Sequence, residues 1–297
     1  MNLQEQALML ANRVRKNFRK LYPRFERQRV GAFRLYDRDI PEIRAAVDWY
    51  EGHLVVAEYA REQTRGVPWL EAIASAAAEA LSVPSERLHL KVRSTGASYP
   101  RLARTGERIE VRERDLRFLV NLDDFIDTGL FADHRETRSR VRAEARGTKF
   151  LNLFAYTGSF TCAAAAGAAA QTTSVDASQN YLDWARDNLR LNGLSGELVR
   201  SGVDAFLRAA GARRWTLCVL DPPSFSDSGG RDFDVQRDHR DLIERALSVL
   251  SPAGVLWFST NHQRFAPALE GLRYTEEDTV PEDYRNRAAH RAFRITK

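Results

Sequence analysis

The stretch Lys149 to Asp176, KFLNLFAYTGSFTCAAAAGAAAQTTSVD, constrains this chain more than any other. Phe150, Leu151, Leu153 and Phe154 form a short apolar run of the kind that makes a strand buried on both faces. Tyr156-Thr157-Gly158-Ser159 reads as a tight turn, in which Gly158 lets the backbone approach a ligand. Thr161 to Ala170 is almost all alanine, a helix former thin enough to lie close on a sheet. Thr172 to Val175 reads as the next strand, with Asp176 at its C-terminal end. Ligands of an open parallel sheet bind at that end. A carboxylate there, 18 residues after Gly158, is placed to accept hydrogen bonds from a ribose. The same residues also suit an ordinary βαβ unit in which Asp176 caps the next helix, and the stretch alone leaves both open.

Before this stretch the chain has a different character. Residues 3–29 read as a helix with a sparse stripe of Leu8, Leu10, Val14, Phe18 and Leu21. Between Arg13 and Arg29 it carries eight basic residues and one acidic residue, Glu26. Phe18, Tyr22 and Phe25 are interleaved with them. A long one-signed run of this kind points to a polyanion such as an RNA backbone, with Arg13, Arg15, Lys16, Arg19 and Lys20 as contacts. Residues 32–122 read as a small α/β unit. Its expected strands are Ala46–Tyr50, Leu54–Tyr59, Leu88–Val92 and the alternating Leu116, Phe118, Val120, Leu122; its helix is Trp69–Leu81, with Pro68 near its start. A polar basic loop from Arg93 to Glu107 adds Arg93 and Arg101 as candidate RNA contacts.

From Asp123 onward strands and helices alternate, which implies a parallel doubly wound sheet. The expected domains are therefore 1–122 and 123–297. Gln179–Leu191 reads as a helix capped by Ser178. Glu197–Val199 and Trp215–Leu220 read as strands. Arg240–Leu250 reads as a helix, Val255–Ser259 as a strand after Pro252-Ala253-Gly254, and His290–Thr296 as a last strand.

The net charge is +5, carried mainly by arginine, which suits bidentate phosphate contacts. Cys162 and Cys218 sit in apolar contexts and suggest neither a disulfide framework nor a metal site. No apolar run approaches membrane-spanning length, and the N-terminus lacks the marks of a signal peptide. A cytoplasmic protein with no membrane partner is expected.

Four features fall in order at expected strand ends: the Gly158 turn, Asp176, Asp204 and Asp221-Pro222-Pro223-Ser224-Phe225. Asp204 alone could cap a helix. Two consecutive prolines are harder to dismiss, since they stop the strand and stiffen the backbone at a ligand-facing edge. Together the four resemble the class I S-adenosylmethionine-dependent methyltransferases. A dinucleotide dehydrogenase fits less well, because G-x-G-x-x-G is absent. The resemblance implies a Rossmann-like α/β fold, here with a smaller N-terminal α/β domain preceded by a basic helix. It implies S-adenosyl-L-methionine as cofactor and S-adenosyl-L-homocysteine as product. The cofactor set it implies is Phe131, Asp133, Arg135, Asn152, Phe154, Ala155, Tyr156, Thr157, Gly158, Ser159, Asp176, Ala177, Ser178, Tyr181, Gly202, Val203, Asp204, Ala205 and Asp221. Within that set the Gly158 turn approaches the methionine moiety, Asp176 binds the ribose, Asp204 accepts from the adenine amine and Val203 packs on the ring. Asp221, Pro222, Pro223 and Phe225 face the methyl acceptor, with His134 and Arg135 positioning cofactor or base.

The resemblance narrows further. Asp127 to Arg135, DTGLFADHR, resembles the entry motif of the large-subunit ribosomal RNA methyltransferases. NRVRKN (12–17), FRLYDRDIPE (33–42), NLFAYTGS (152–159), YLDWARDNLRLNGL (181–194), DPPSFSDS (221–228) and FDVQRDH (233–239) resemble the RlmK-type half of a bifunctional family within them. That half methylates guanine N7 of 23S ribosomal RNA, which makes ribosomal RNA or a large-subunit precursor the implied partner. In that family a second methyltransferase and an RNA-binding module precede this half. This chain starts just before the RlmK-like region, so the second activity is not expected of it.

Related enzymes methylate cytosine C5 through an attacking cysteine, because that carbon is too weak a nucleophile unaided. Here the strand after Asp-Pro-Pro ends Phe258-Ser259-Thr260-Asn261, without a thiol. Guanine N7 has a free lone pair and needs neither a covalent nucleophile nor a strong base. Asp221 is expected to stabilise the positive charge on the reacting base or to bind the guanine edge, with Phe225 stacking on an extruded base. The alternatives are another base atom, guanine N2 or cytosine C5, or a non-catalytic RNA-binding assembly factor, against which the intact cofactor motifs argue.

Overall fold

Asn2 opens the first helix, α1 (Leu3–Arg27), with a capping box. Its side chain accepts from the Glu5 amide at 2.9 Å while Glu5 reaches back to the Asn2 amide at 2.8 Å, satisfying two of the donors a helix start leaves free. The computed structural model describes residues 2–64, 66–93, 102–226 and 233–297. They form two compact units, residues 1–132 with 282–286, and residues 133–281 with 287–297. The change of unit falls at 132/133 rather than at 122/123, and Glu282–Asn286 rejoins the first unit.

In the first unit, α1 buries Leu10, Val14, Leu21 and Phe25. They pack with Ile73, Ala74 and Ala77 of helix α2 (Trp69–Leu81) and with one face of a sheet. The sheet order is β1 (Ala32–Asp37), β2 (Ala45–Tyr50), β3 (His53–Tyr59), β4 (Leu88–Arg93). The pairs β1–β2 and β2–β3 are antiparallel, and β3–α2–β4 is a parallel crossover. A separate hairpin joins β5 (Ile109–Glu113) to β6 (Leu116–Val120). Three expectations are corrected. Leu8 is 62% exposed and not part of the stripe. Strand β6 stops at Val120, short of Leu122. The aromatic residues among the basic run are core: Phe25 is buried against Phe33, and Phe18 and Tyr22 pack on Trp49.

The second unit carries helix α3 (Arg135–Glu144), strand β7 (Lys149–Leu153), α4 (Ser159–Ala166), β8 (Gln171–Asp176), α5 (Gln179–Leu191), β9 (Glu197–Arg200), α6 (Val203–Ala209) and β10 (Trp215–Leu220). A small hairpin of β11 (Phe225–Ser226) and β12 (Phe233–Asp234) follows, then α7 (Val235–Ser248), β13 (Leu250–Thr260), β14 (Arg273–Glu277) and β15 (Arg291–Thr296). The sheet order is β14-β15-β13-β10-β7-β8-β9. The run from β13 to β9 is parallel, as expected. The sheet as a whole is mixed, because β15 pairs antiparallel with both β13 and β14.

Both faces of the central strands are covered, and side chains alternate between them. Phe150, Leu217, Val219 and Trp257 join one cluster with Val141 of α3 and Phe160 of α4. Leu151, Cys218, Leu220, Leu256 and Phe258 join the other, with Phe206 of α6 and Ile243 of α7. Each such side chain removed from water stabilises the unit by roughly 1.5–3 kcal/mol. The alanine helix is shorter than expected: Gly167 caps α4 and residues 168–170 are outside it. Helix α7 begins at Val235, where Asp234 accepts from the Gln236 amide at 2.8 Å. The start was hidden in the sequence because a histidine, His239, holds a core position against Phe258 and Phe265.

Candidate active site

The backbone after β7 is bent against its residues' preferences. Phe154, Tyr156 and Gly158 have φ of 58°, 50° and 75°, the left-handed region that side chains disfavour. The loop is fixed from several sides. Ala155 donates to Val175 O at 3.0 Å and Gly158 to Ala155 O at 2.9 Å. Asn188, fully buried on α5, donates to Thr157 O at 2.9 Å. A β-carbon at Gly158 would lie 2.8 Å from Ala185 Cβ, so conformation and space both demand glycine. Beneath the loop, Asn152 donates to Thr161 at 2.9 Å, and Thr161 bonds Ser174 at 2.7 Å. Ser159 starts α4.

Asp176 ends β8. One oxygen accepts from the Tyr156 amide and the other from the Ser178 amide, each at 2.9 Å. Burial raises its pKa above the usual carboxylate value, against the opposing pull of those amides. Ala177 is exposed, Ser178 caps α5, and Tyr181 sets its ring edge-on to Tyr156 at 4.7 Å. The strained loop and Asp176 are thus one bonded unit. After β9, Gly202 caps α6 and Val203 is buried. Asp204 and Ala205 are exposed, and Asp204 pairs with Arg245 at 2.8 Å rather than capping the helix.

After β10, Asp221 accepts from the Ser259 hydroxyl at 2.6 Å. Pro222 is buried and Pro223 exposed. Ser224 donates to Asn261 at 2.7 Å. Phe225 is 58% exposed with its ring edge-on to His262, free enough to take a flat partner. Cys162 and Cys218 are buried in the core, and burial pushes the Cys162 thiol up to about 12.

Asp221 also has an imidazole beside it. His134 Nε2 lies 3.9 Å from Asp221 Oδ2. The His134 ring stacks on His290 with centroids 4.0 Å apart and planes 19° apart, and Phe160 meets it edge-on. Burial, then the neighbouring His290, lowers the His134 pKa to about 4, so the ring is neutral at physiological pH. Asp133, His134 and His290 bring ligand-type atoms within 4.8 Å of one another. Imidazole lone pairs lie in the ring planes, however, and two stacked, nearly parallel planes do not converge on a point between the rings, which suits hydrogen bonding rather than a shared metal ion. Arg135 and Arg138 of α3 are both nearly fully buried. His290, Thr137 and Thr279 carry no motif of their own, and a histidine opening the expected last strand is the one signal the sequence offers for them; Asn188 lies in the 181–194 run and Ser259 at the end of an expected strand.

In the first unit, Phe131 is exposed. Arg15, Lys16, Arg19 and Lys20 form an exposed ridge on α1. Among the described residues no carboxylate pairs with Lys16, Arg19 or Lys20. Arg13 pairs with Asp39 at 3.7 Å and Arg93 with Asp127 at 3.3 Å. Arg101 lies outside the described residues, as do Asp227 and Ser228 of the DPPSFSDS run. No described helix is long and apolar enough to cross a membrane.

Residues 32–282 match the family model of S-adenosylmethionine-dependent methyltransferases. Ribosomal RNA large subunit methyltransferase K/L of Syntrophotalea carbinolica is 44% identical over 99% of this chain and 44% of its own length. The protein of the same name from Pseudomonas aeruginosa is 43% identical over 99% of this chain and 43% of its length. The chain therefore spans less than half of these relatives. Among solved structures, a chain assigned as a methyltransferase from Streptococcus mutans superposes with a TM-score of 0.81 at 22% identity, over 98% of this chain and 81% of that one. A methyltransferase structure complexed with S-adenosylhomocysteine gives 0.77 at 23%, over 97% and 82%. These two likenesses concern the fold.

Proposed function

Because the chain belongs to the S-adenosylmethionine-dependent methyltransferase family, we propose that it methylates N7 of a guanine in 23S ribosomal RNA or a large-subunit precursor, by in-line transfer without a covalent enzyme–base intermediate. The substrate class is supported by the K/L relatives. The observation that carries the chemistry is at the end of β13: Ser259, not a thiol, faces Asp221 there, and both cysteines are buried in the core. A covalent route to a ring carbon lacks its nucleophile at this position.

The residues fit the cofactor. The turn from Phe154 to Gly158 is held tightly on α5, where a β-carbon at Gly158 would meet Ala185, and Asp176 has lone pairs left for ribose hydroxyls after accepting from the Tyr156 and Ser178 amides. In this reading Asn152 and the loop residues Phe154 to Ser159 hold the methionine side, with Asp133, Arg135 and Phe131. Ala177, Ser178 and Tyr181 flank the ribose, and Gly202, Val203 and Ala205 flank the adenine. Asp204 uses the oxygen that Arg245 does not hold. When bound, S-adenosylmethionine supplies an electrophilic methyl group. The chain's own part is to position the base and oppose charge. Asp221, fixed by Ser259, faces the guanine as it turns positive, Phe225 stacks on the extruded base, and Pro222 and Pro223 hold both in place. The ridge of Arg15, Lys16, Arg19 and Lys20, with Arg13, Arg93 and Arg101, meets phosphates.

The runner-up is guanine N2, favoured by Asp221 as an acceptor for an exocyclic amine. Nucleoside mass spectrometry of 23S RNA incubated with the protein and methyl-labelled cofactor separates the two. Label in 7-methylguanosine is expected; label only in N2-methylguanosine or 5-methylcytidine overturns the N7 reading.

A further inference from the structure

Behind Asp221, within the second unit, a bonded chain runs through Thr137, Thr279 and His290, none of which the proposed function uses. His290 Nδ1 lies 3.2 Å from Asp133 Oδ2. An ionised carboxylate has no hydrogen to give, so the hydrogen in that bond is on Nδ1. Thr137 donates to Thr279 at 2.8 Å, which leaves the Thr279 hydrogen for His290 Nε2 at 2.9 Å. With its own hydrogen committed, Thr137 can only accept from His134 Nδ1, at 3.3 Å. Asp133 thus orders every hydrogen in the chain, and His134 is left with a lone pair on Nε2, the atom 3.9 Å from Asp221. His134, Thr137, Thr279 and His290 are all at most 4% exposed, so water does not reorder them.

We infer that His134 is a positioning residue: the chain from Asp133 holds it as the neutral Nδ1–H tautomer, so that Asp221 meets an acceptor instead of a donor and keeps its negative charge for the base. The inference rests on the reading that Asp221 faces the methyl acceptor. The opposite tautomer would place an N–H on Asp221, and a protonated ring would pair with it; either would quench the charge that is to oppose a developing cation. The groups that face His134 are Asp221 after β10, His290 before β15, Asp133 in the same short helical turn (Ala132–His134) and Arg138 on α3. Burial is the largest influence and opposes protonation of the ring; His290 and Arg138 act in the same direction, and the two aspartates favour protonation. Two acceptors side by side suit one class of occupant, a group that donates N–H or turns positive during reaction, as a purine ring does on alkylation.

The test reads the tautomer directly. In 15N-histidine-labelled protein without RNA, long-range 1H–15N spectra at neutral pH should show His134 Nδ1 as the protonated nitrogen and Nε2 as the bare one. A protonated Nε2 overturns the inference and leaves the methyltransferase reading standing, whereas absence of guanine methylation overturns that reading and leaves the tautomer unchanged. Thr137→Val removes the acceptor for Nδ1–H. It should shift the tautomer and slow single-turnover transfer about tenfold at saturating cofactor, with cofactor affinity by calorimetry unchanged. Thr279→Val should keep the tautomer, because Thr137 also lies 3.3 Å from His290 Nε2 and can donate there. Equal losses in the two variants with an unshifted tautomer would overturn it.

Discussion

The two ends of the second unit's sheet share their strands and use them in opposite ways. At the C-terminal ends of β7, β8 and β10 the backbone is left-handed at Phe154, Tyr156 and Gly158, Asp176 and Asp221 are fixed by short bonds, and a stacked imidazole pair is buried. At the N-terminal ends lies an open groove of about 320 Å³ lined by Lys149, Gln171, Glu197, Arg213 and Arg214. Its charges reach water. Arg213 and Glu197 sit 3.7 Å apart with side chains 63% and 42% exposed, and Arg214 donates to the carbonyls of its own turn. Exposed pairs of that kind contribute about 0–1 kcal/mol. Left-handed non-glycine residues cost on the order of 1–3 kcal/mol each. One end is what solubility asks of a surface; the other holds groups where local preference would not put them, and it is the end to which we assign the work.

That contrast can be broken by substitution. Asp221→Ala should lower single-turnover methyl transfer about 100- to 1000-fold at saturating cofactor, with cofactor affinity measured separately by calorimetry; transfer near the wild-type rate would remove Asp221 from the mechanism. Gly158→Ala should cost roughly 2–3 kcal/mol in urea unfolding, from left-handed strain and the contact with Ala185, and should weaken cofactor binding with it. An unchanged midpoint would mean the turn relaxes freely and is not a held geometry. Arg214→Ala at the opposite end should leave stability within about 0.5 kcal/mol and transfer unchanged. A tenfold loss there would move function to the wrong edge of the sheet and undo the comparison.

Much of the working end is legible in the sequence because its signals are local. A glycine in a tight turn, an acid at a strand end, two prolines after an acid and a serine before a helix each act within a few residues. What escaped has its cause in tertiary packing. Helix α3 shows no apolar stripe because the face it buries is Arg135, Thr137, Arg138 and Val141. Strand β14 is RYTEE, mostly exposed at the sheet edge, where charge guards against stray pairing and erases alternation. The aromatic residues of α1 alternate with base-rich positions as RNA-stacking side chains would, yet packing on Phe33 and Trp49 claims them for the core.

The sequence by itself determined the doubly wound strands, the order of Gly158, Asp176, Asp204 and Asp221 along them, and the absence of a thiol after Phe258. Hydrophobic alternation and turn chemistry encode those directly. Only the tertiary structure decided that His134, Thr137, Thr279, His290 and Asp133 form one bonded chain behind Asp221. These residues are up to 157 positions apart. No local rule couples polar groups at that separation; burial does, because each must find a partner once water is excluded.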